Sequence, residues 1–371
     1  MRRFEWTRYL KNGRWLLLVF VLLGLIFGFY LSAQQHDKQA KQQEISQLIS
    51  WQTQLRNQAR LLQKQKQLSL SEQTNSENLL QHLDTLVTNL SSANPDEQGL
   101  TQQYLVFWQS YQSLTRHNKK LRIAGLSAAT VAASVRKYHL LAQKNAPCLD
   151  FSLATTMNGF SNYFFSNYGA LLFLILGIFA IFDLITRDFE RDNIRFLYTL
   201  PISRQRFFRI KQQLQVRVLL GLLLVLCLGL IGFPAVMGQP LVMFGYPLGE
   251  TRLFGQTLSV TLGLNLVSLL LLLILWICVL NQLVTWLALR FKQSSIVFGG
   301  VIFAVPLMSS LFIGTGTFQQ FFPWASLANR HLIALSGYEP LWGMQQLVIL
   351  LTLLMVIVGL RWRTHLVIKK A

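Results

Sequence analysis

Long apolar runs constrain this chain more than any other feature. A helix needs about 20 predominantly apolar residues to cross a hydrocarbon layer roughly 30 Å thick. Six stretches have that character: Trp15 to Ala33, Tyr168 to Thr186, Val218 to Met237, Leu258 to Leu289, Ser295 to Gly314 and Leu347 to Leu360. The fourth is long enough to tilt or to extend past the bilayer. Only 13% of the 371 residues are charged, against about 25% in soluble domains. The expected fold is therefore all-α and membrane-embedded, with six transmembrane helices. The first run follows basic residues and ends in Ser32-Ala33, as a signal peptide does, but its uninterrupted length favours a retained anchor.

The formal charge of +19 raises the question of nucleic acid, and the placement of the charges answers it. Arg2, Arg3, Arg8, Lys11 and Arg14 precede the first run, Arg187 to Arg217 fills the link between the second and third, Arg290 and Lys292 separate the fourth and fifth, and Arg361, Arg363, Lys369 and Lys370 follow the sixth. The two short loops of the other face carry only Arg252 and Arg330. Lys and Arg collect in short cytoplasmic loops. Both ends and the 187–217 link are thus expected in the cytoplasm of a multi-pass plasma-membrane protein, whose basic residues meet membrane lipid and not nucleic acid. Phe4, Trp6 and Tyr9 among the basic residues of 1–14 suit a short interfacial helix, or simply a positive flank.

Residues 34–167 are of another kind, rich in Gln, Ser, Asn and Lys. Ile45, Leu48, Ile49, Leu55, Ala59 and Leu62 recur on one helical face, as do Leu79, Leu80, Leu83, Leu86, Val87 and Leu90. A helical extracytoplasmic domain is expected between the first two spans. Trp51, Tyr104, Phe107, Trp108 and Tyr111 read as its packing residues more readily than as a ligand box. Cys227 and Cys278 fall in apolar spans and Cys148 stands alone outside them, so no disulfide framework is available. Between the fifth and sixth spans, the aromatic run from Phe318 with Pro323, Gly337 and Pro340 suits short re-entrant helices within 315–346, or an aromatic belt around a loop.

An enzyme needs convergent titratable or metal-binding groups. The six His, at 36, 82, 117, 139, 331 and 365, show no metal-ligand spacing. No G-x-x-x-x-G-K-[ST] phosphate loop is present, nor G-x-S-x-G or H-E-x-x-H. The span centres offer neutral Asn265, Ser268 and Asn281, whereas ion- or proton-coupled carriers place ionisable groups there. Energy is expected from a partner.

The informative segment is DLITRDFERDNIRFLYTLPISRQRFFRIK, from Asp183 to Lys211. Charges of both signs interleave, an apolar patch follows, and Pro201 stops the helix just before Ser203. This segment resembles the link after the second span in permeases of the ABC-2 exporter family, in which an acidic/basic run and an apolar patch lead to Pro-x-Ser-Arg and a Lys. The matching residues are Asp183, Glu190, Arg191, Leu197, Pro201, Ser203, Arg204 and Lys211; Asp192-Asn193 stands where the family often has Gly-Thr. The six-span layout and the interfacial amino-terminal helix resemble the family more loosely.

The resemblance implies a coupling helix seated on a separate cytoplasmic ABC ATPase. It also implies a second permease copy or paralogue, ATP and Mg held by the ATPase, and no cofactor in this chain. Glu190 and Arg191 would be polar contacts, Phe196 and Leu197 the apolar plug, and Pro201 the helix end. The second and fifth spans would line the substrate path, with Gly299 and Gly300 as hinge or packing points. The substrate would be hydrophobic or amphipathic, such as an antimicrobial peptide, drug or lipid. The competing readings are a membrane sensor or receptor and an envelope scaffold, either one working through the helical domain.

Overall fold

A computed structural model describes residues 7, 9, 13–65, 69–92, 95–190, 203–253, 256–311 and 342–370. The expected interfacial helix at 1–14 falls largely outside the described residues, and the expected re-entrant segment at 315–346 almost wholly so. The described chain is helical apart from a two-stranded hairpin.

Helix α1, Arg14–Lys64, runs for 51 residues without a break. At 1.5 Å per residue it is about 76 Å long, more than twice the hydrocarbon thickness. Its first half belongs to one hydrophobic core, through Leu22, Ile26 and Tyr30. Its second half belongs to another, through Leu48, Trp51 and Leu55. The apolar-to-polar change after Ala33 therefore marks where the helix leaves the apolar layer, not where it ends.

The second core is that of the expected helical domain. It is completed by α2 (Leu70–Ser91), α3 (Glu97–His117) and α4 (Ala128–Gln143). Each of these starts on a side-chain cap. Ser69 forms a reciprocal capping box with Glu72, Asp96 accepts from the Gly99 amide and Ser127 from the Thr130 amide, satisfying amides the first helical turn leaves open. The aromatic residues pack on one another: Trp51 stacks on Phe107, and Tyr104 stacks on Tyr138 with 4.8 Å between ring centroids.

The second apolar span, expected from Tyr168, is a helix from Gly169, but the chain re-enters the first core earlier: α5, Met157–Ser166, already lies in it. Phe160 packs edge-on against Tyr30 and Phe164 against Phe29. The Asn and Ser residues here made the stretch look water-facing, yet their polar groups are satisfied internally. Asn158 donates to the Val242 carbonyl (2.6 Å) and accepts from the Val242 amide (3.0 Å), while Asn162 Oδ1 accepts from Asn265 Nδ2 (2.6 Å). Gly159 sits so close to the preceding turn that a Cβ would stand 1.9 Å from the Leu153 carbonyl oxygen. Tyr168, in the left-handed region at φ 64°, then turns the chain into α6 (Gly169–Ile181) and α7 (Asp183–Glu190).

Helix α8, Arg204–Val236, begins well before the expected span and includes Pro234. Strands β1 (Pro247–Leu253) and β2 (Gln256–Thr261) pair antiparallel. They are a small addition to a fold that is otherwise all-α as expected, and the fourth apolar helix, expected from Leu258, begins at Leu262, where Thr261 caps α9 (Leu262–Phe291). Tyr246 anchors the hairpin under the helical domain, its hydroxyl accepting from the Leu149 amide and its carbonyl from Leu262 N–H. Helices α10 (Ser294–Leu311) and α11 (Trp342–Lys370) complete the described chain.

Helix α9 packs against α6, α8, α10 and α11. Among the described residues five helices, including α6 continued into α7, are long and apolar enough to cross a membrane, and a shorter apolar helix occupies Ser294–Phe303. Large apolar side chains such as Phe20, Leu224, Leu228, Phe303 and Met355 face outward, as a lipid-facing surface requires and a water-facing one resists.

Candidate functional site

Helix α7 carries three carboxylates. Asp183 and Glu190 are seven residues apart and so share a helix face, while Asp188 lies about 140° round from Asp183. The structure puts each against a different helix. Arg14, at the start of α1, donates to Asp183 Oδ2 at 2.5 Å. Asp188 Oδ2 lies 2.7 Å from Lys211 Nζ of α8, both side chains being only 3% exposed. Glu190 Oε1 accepts from both the backbone amide and the hydroxyl of Ser294, at 2.6 Å each. Ser294 opens α10, so a carboxylate sits on a helix amino terminus, where the macrodipole favours negative charge.

Aromatic contacts tighten the same end. Phe189 stacks on Phe208, the Lys211 ammonium lies 5.6 Å from the Phe207 ring centroid, and Lys292 reaches over Phe189. Ser203 caps α8 by accepting from the Arg206 amide. One turn beyond Lys211, Gln215 donates to the Ile181 carbonyl and accepts from the Thr285 hydroxyl, joining α6, α8 and α9 in the buried interior. Between α1, α7 and α8 remains a cleft of about 30 Å³, faced by Arg14, Asp183, Arg187 and Lys211. That is room for about two waters.

The nine residues expected to couple the chain to an ATPase divide accordingly. Arg191, Phe196, Leu197 and Pro201 lie outside the described residues. Ser203 and Arg204 begin α8, Ser203 as its cap. Asp183, Glu190 and Lys211 are brought together around α7, where they meet Arg14, Ser294 and Asp188 respectively, Glu190 while still exposed. Lys211 in particular is buried in an ion pair and has no free ammonium to offer a partner. Sequence reasoning missed Asp188, Gln215, Thr285 and Ser294. Asp188 and Lys211 are 23 positions apart with no shared motif; the available signal was a Lys close to the apolar start of a span, which needs a counter-charge.

Chemically, this arrangement holds helices together. Among the described residues no three His, Cys, Asp or Glu side chains stand close enough to hold a metal ion. The expected hinge or packing glycines lie elsewhere: Gly299 has no neighbour within 4 Å of a hypothetical Cβ, and Gly300 has only Leu287 at 3.9 Å.

Comparison with curated proteins found no match, and comparison with solved structures found none either. A family model described as ABC-2 family transporter protein matches residues 4–361. With nearly the whole length matched, apolar helices that suit a bilayer and the charged helix α7 leading into the 191–202 link, the chain belongs to the ABC-2 transporter family of membrane permeases.

Proposed function

We propose that the chain is the permease of an ATP-driven exporter whose cytoplasmic ATPase docks on α7 and the 191–202 link. In this reading both ends and α7 are cytoplasmic, the helical domain lies outside the cell, and two permease copies form the path for a hydrophobic or amphipathic substrate. ATP and Mg belong to the ATPase.

The observation that carries the proposal is the attachment of α7 to three other helices through Asp183–Arg14, Asp188–Lys211 and Glu190–Ser294. A displacement applied to α7 by a docked partner would move α1, α8 and α10 together. That is the rigid-body response a transporter needs to change access from one side to the other. In this division of labour residues 191–202 meet the ATPase, and the carboxylates of α7 pass the motion on.

Two variants separate docking from transmission. Mild-detergent purification of the tagged chain should recover an ABC ATPase subunit, and Arg191→Ala with Leu197→Ala should lose it. Glu190→Ala combined with Ser294→Ala should keep the ATPase bound but uncouple its hydrolysis from the permease. Failure of any ATPase to co-purify under several mild extractions would refute the docking proposal. Unchanged transport in the Glu190/Ser294 double variant would refute the transmission role.

A further inference from the structure

No charged residue occurs from Val218 to Gly249, although α8 ends at Val236. The apolar part of α8, Val218 to Val236, rises about 28 Å and by itself nearly spans the hydrocarbon layer. The segment that follows, Met237 to Phe244, is uncharged and non-helical. Met243 is 75% exposed and Phe244 60%, and Val236, Met237 and Leu241 are exposed as well. We propose that this segment is an apolar foot that lies in the lipid leaflet on the helical-domain side and holds that domain against the membrane.

Depth and backbone both point to lipid. Trp15 lies against Gly221, Ile26 against Gly229 and Phe27 against Phe233, so α1 and α8 rise side by side in the same direction. Val236, three residues past Phe233, is thus near the height of Tyr30, while the apolar run of α1 continues to Ala33. The segment turns at the edge of the apolar layer, and the outward-facing Leu224, Leu228 and Ile231 of α8 lead directly into it. Non-helical backbone is tolerated at that depth only where protein satisfies its polar groups. The carbonyls of Pro240, Val242, Met243 and Phe244 accept from Met157 N–H, Asn158 Nδ2, Tyr246 N–H and Gly263 N–H respectively, and the Val242 amide donates to Asn158 Oδ1. The backbone is met from within the protein while the large apolar side chains face out, which water would disfavour and acyl chains accept.

The same stretch is fastened to the helical domain. Lys144 Nζ, at the end of α4, donates to the Gly245 carbonyl at 3.1 Å, and the Leu149 amide donates to the Tyr246 hydroxyl at 3.2 Å. With Met243 and Phe244 in lipid, these bonds tie the base of the domain to the membrane surface at a point separate from α1. The inference needs only a bilayer, so its test is independent of the exporter reading.

The full-length chain, with Cys148, Cys227 and Cys278 replaced by Ala, is given a nitroxide at Met243→Cys and reconstituted in phosphatidylcholine vesicles. Leu70→Cys, at an 85% exposed position of the helical domain, is the water-facing control. Collisions are measured with oxygen, which concentrates in hydrocarbon, and with a polar nickel chelate present on both sides, which stays in water. The ratio of oxygen to nickel collisions at Met243→Cys should exceed that at Leu70→Cys by more than about tenfold, the preference of one such side chain for apolar surroundings. Equal ratios would place the segment in water and overturn the proposal. Few collisions with either reagent would mean that protein, a second copy or residues 312–341, covers the site, and would overturn it equally. Hydroxyl-radical labelling of the unaltered chain in the same vesicles guards against a misfolded variant: Met243 and Phe244 should label less than Leu70, and labelling equal to or above that of Leu70 would also overturn the proposal.

Discussion

Replacing Lys211 by Met tests whether the Asp188–Lys211 pair fastens α7 to α8. The two charges approach to 2.7 Å, each side chain being 3% exposed. At an effective dielectric near 20 their gross attraction is about 6 kcal/mol, and most of it is offset by the cost of removing both ions from water. The net value of the intact pair is therefore small. Removing one member is another matter, because Asp188 then stays buried without its ammonium, at a cost of about 3–5 kcal/mol. For a chain of this size that corresponds to a fall in Tm of roughly 6–10 °C, at about 2 °C per kcal/mol.

The double variant Asp188→Leu with Lys211→Met removes both charges and should recover most of that loss, giving a large favourable coupling energy in the double-mutant cycle. The assay is thermal unfolding in detergent for the parent, both single variants and the double. A fall below about 2 °C for Lys211→Met would show that Asp188 is not held in a low-dielectric interior. A double variant whose loss equals the sum of the singles would show that the two groups act separately. Either result would refute the fastening argument.

Three further outcomes follow from other parts of the molecule. Asn158→Ala removes both hydrogen bonds to the Val242 backbone and leaves a buried amide and carbonyl unmet, which should cost about 2–4 kcal/mol and make the 238–246 segment more sensitive to limited proteolysis; unchanged cleavage would count against the clamp. Gly159→Ala drives a methyl to 1.9 Å from the Leu153 carbonyl and should cost more than about 3 kcal/mol, read as loss of monodisperse protein in size-exclusion chromatography, whereas Gly24→Ala, with nothing within 4 Å, should be tolerated. Glu44 in the helical domain is raised above the usual carboxylate range by burial, against the opposing hydrogen bond from Tyr104. A raised folded-state value means the folded chain holds its proton longer than the unfolded one, so stability falls as pH rises from the ordinary value near about 4.3 through the folded value. Glu44→Gln should therefore raise Tm at neutral pH, with the gain vanishing below about pH 4; a gain that persists in acid would refute the assignment.

Apolar run length anticipated the five helices that are long and apolar enough to cross a membrane among the described residues, because a bilayer imposes a minimum span that few other constraints imitate. Leu79, Leu83, Leu86 and Leu90, expected on one face of a helix in the helical domain, are all buried. Legibility failed where polarity was local but satisfaction was distant. Met157–Ser166 read as water-facing because Asn158 and Asn162 were counted as hydrated; their partners, Val242 and Asn265, are 84 and 103 residues away. The hairpin between α8 and α9 escaped notice because its residues lack a strict apolar alternation.

The candidate site divides in the same way. The charged stretch from Asp183 was conspicuous in the sequence, and with it the family. The direction in which its charges point was not. Glu190 accepts from Ser294 at the start of α10, and Lys211 is matched by Asp188 inside the protein. What the sequence determined by itself was the apolar surroundings its long hydrophobic runs require, since transfer free energy is a local property of composition. Only the tertiary structure decided which buried polar group answers which, because a hydrogen bond or ion pair depends on distances the chain acquires when its helices pack.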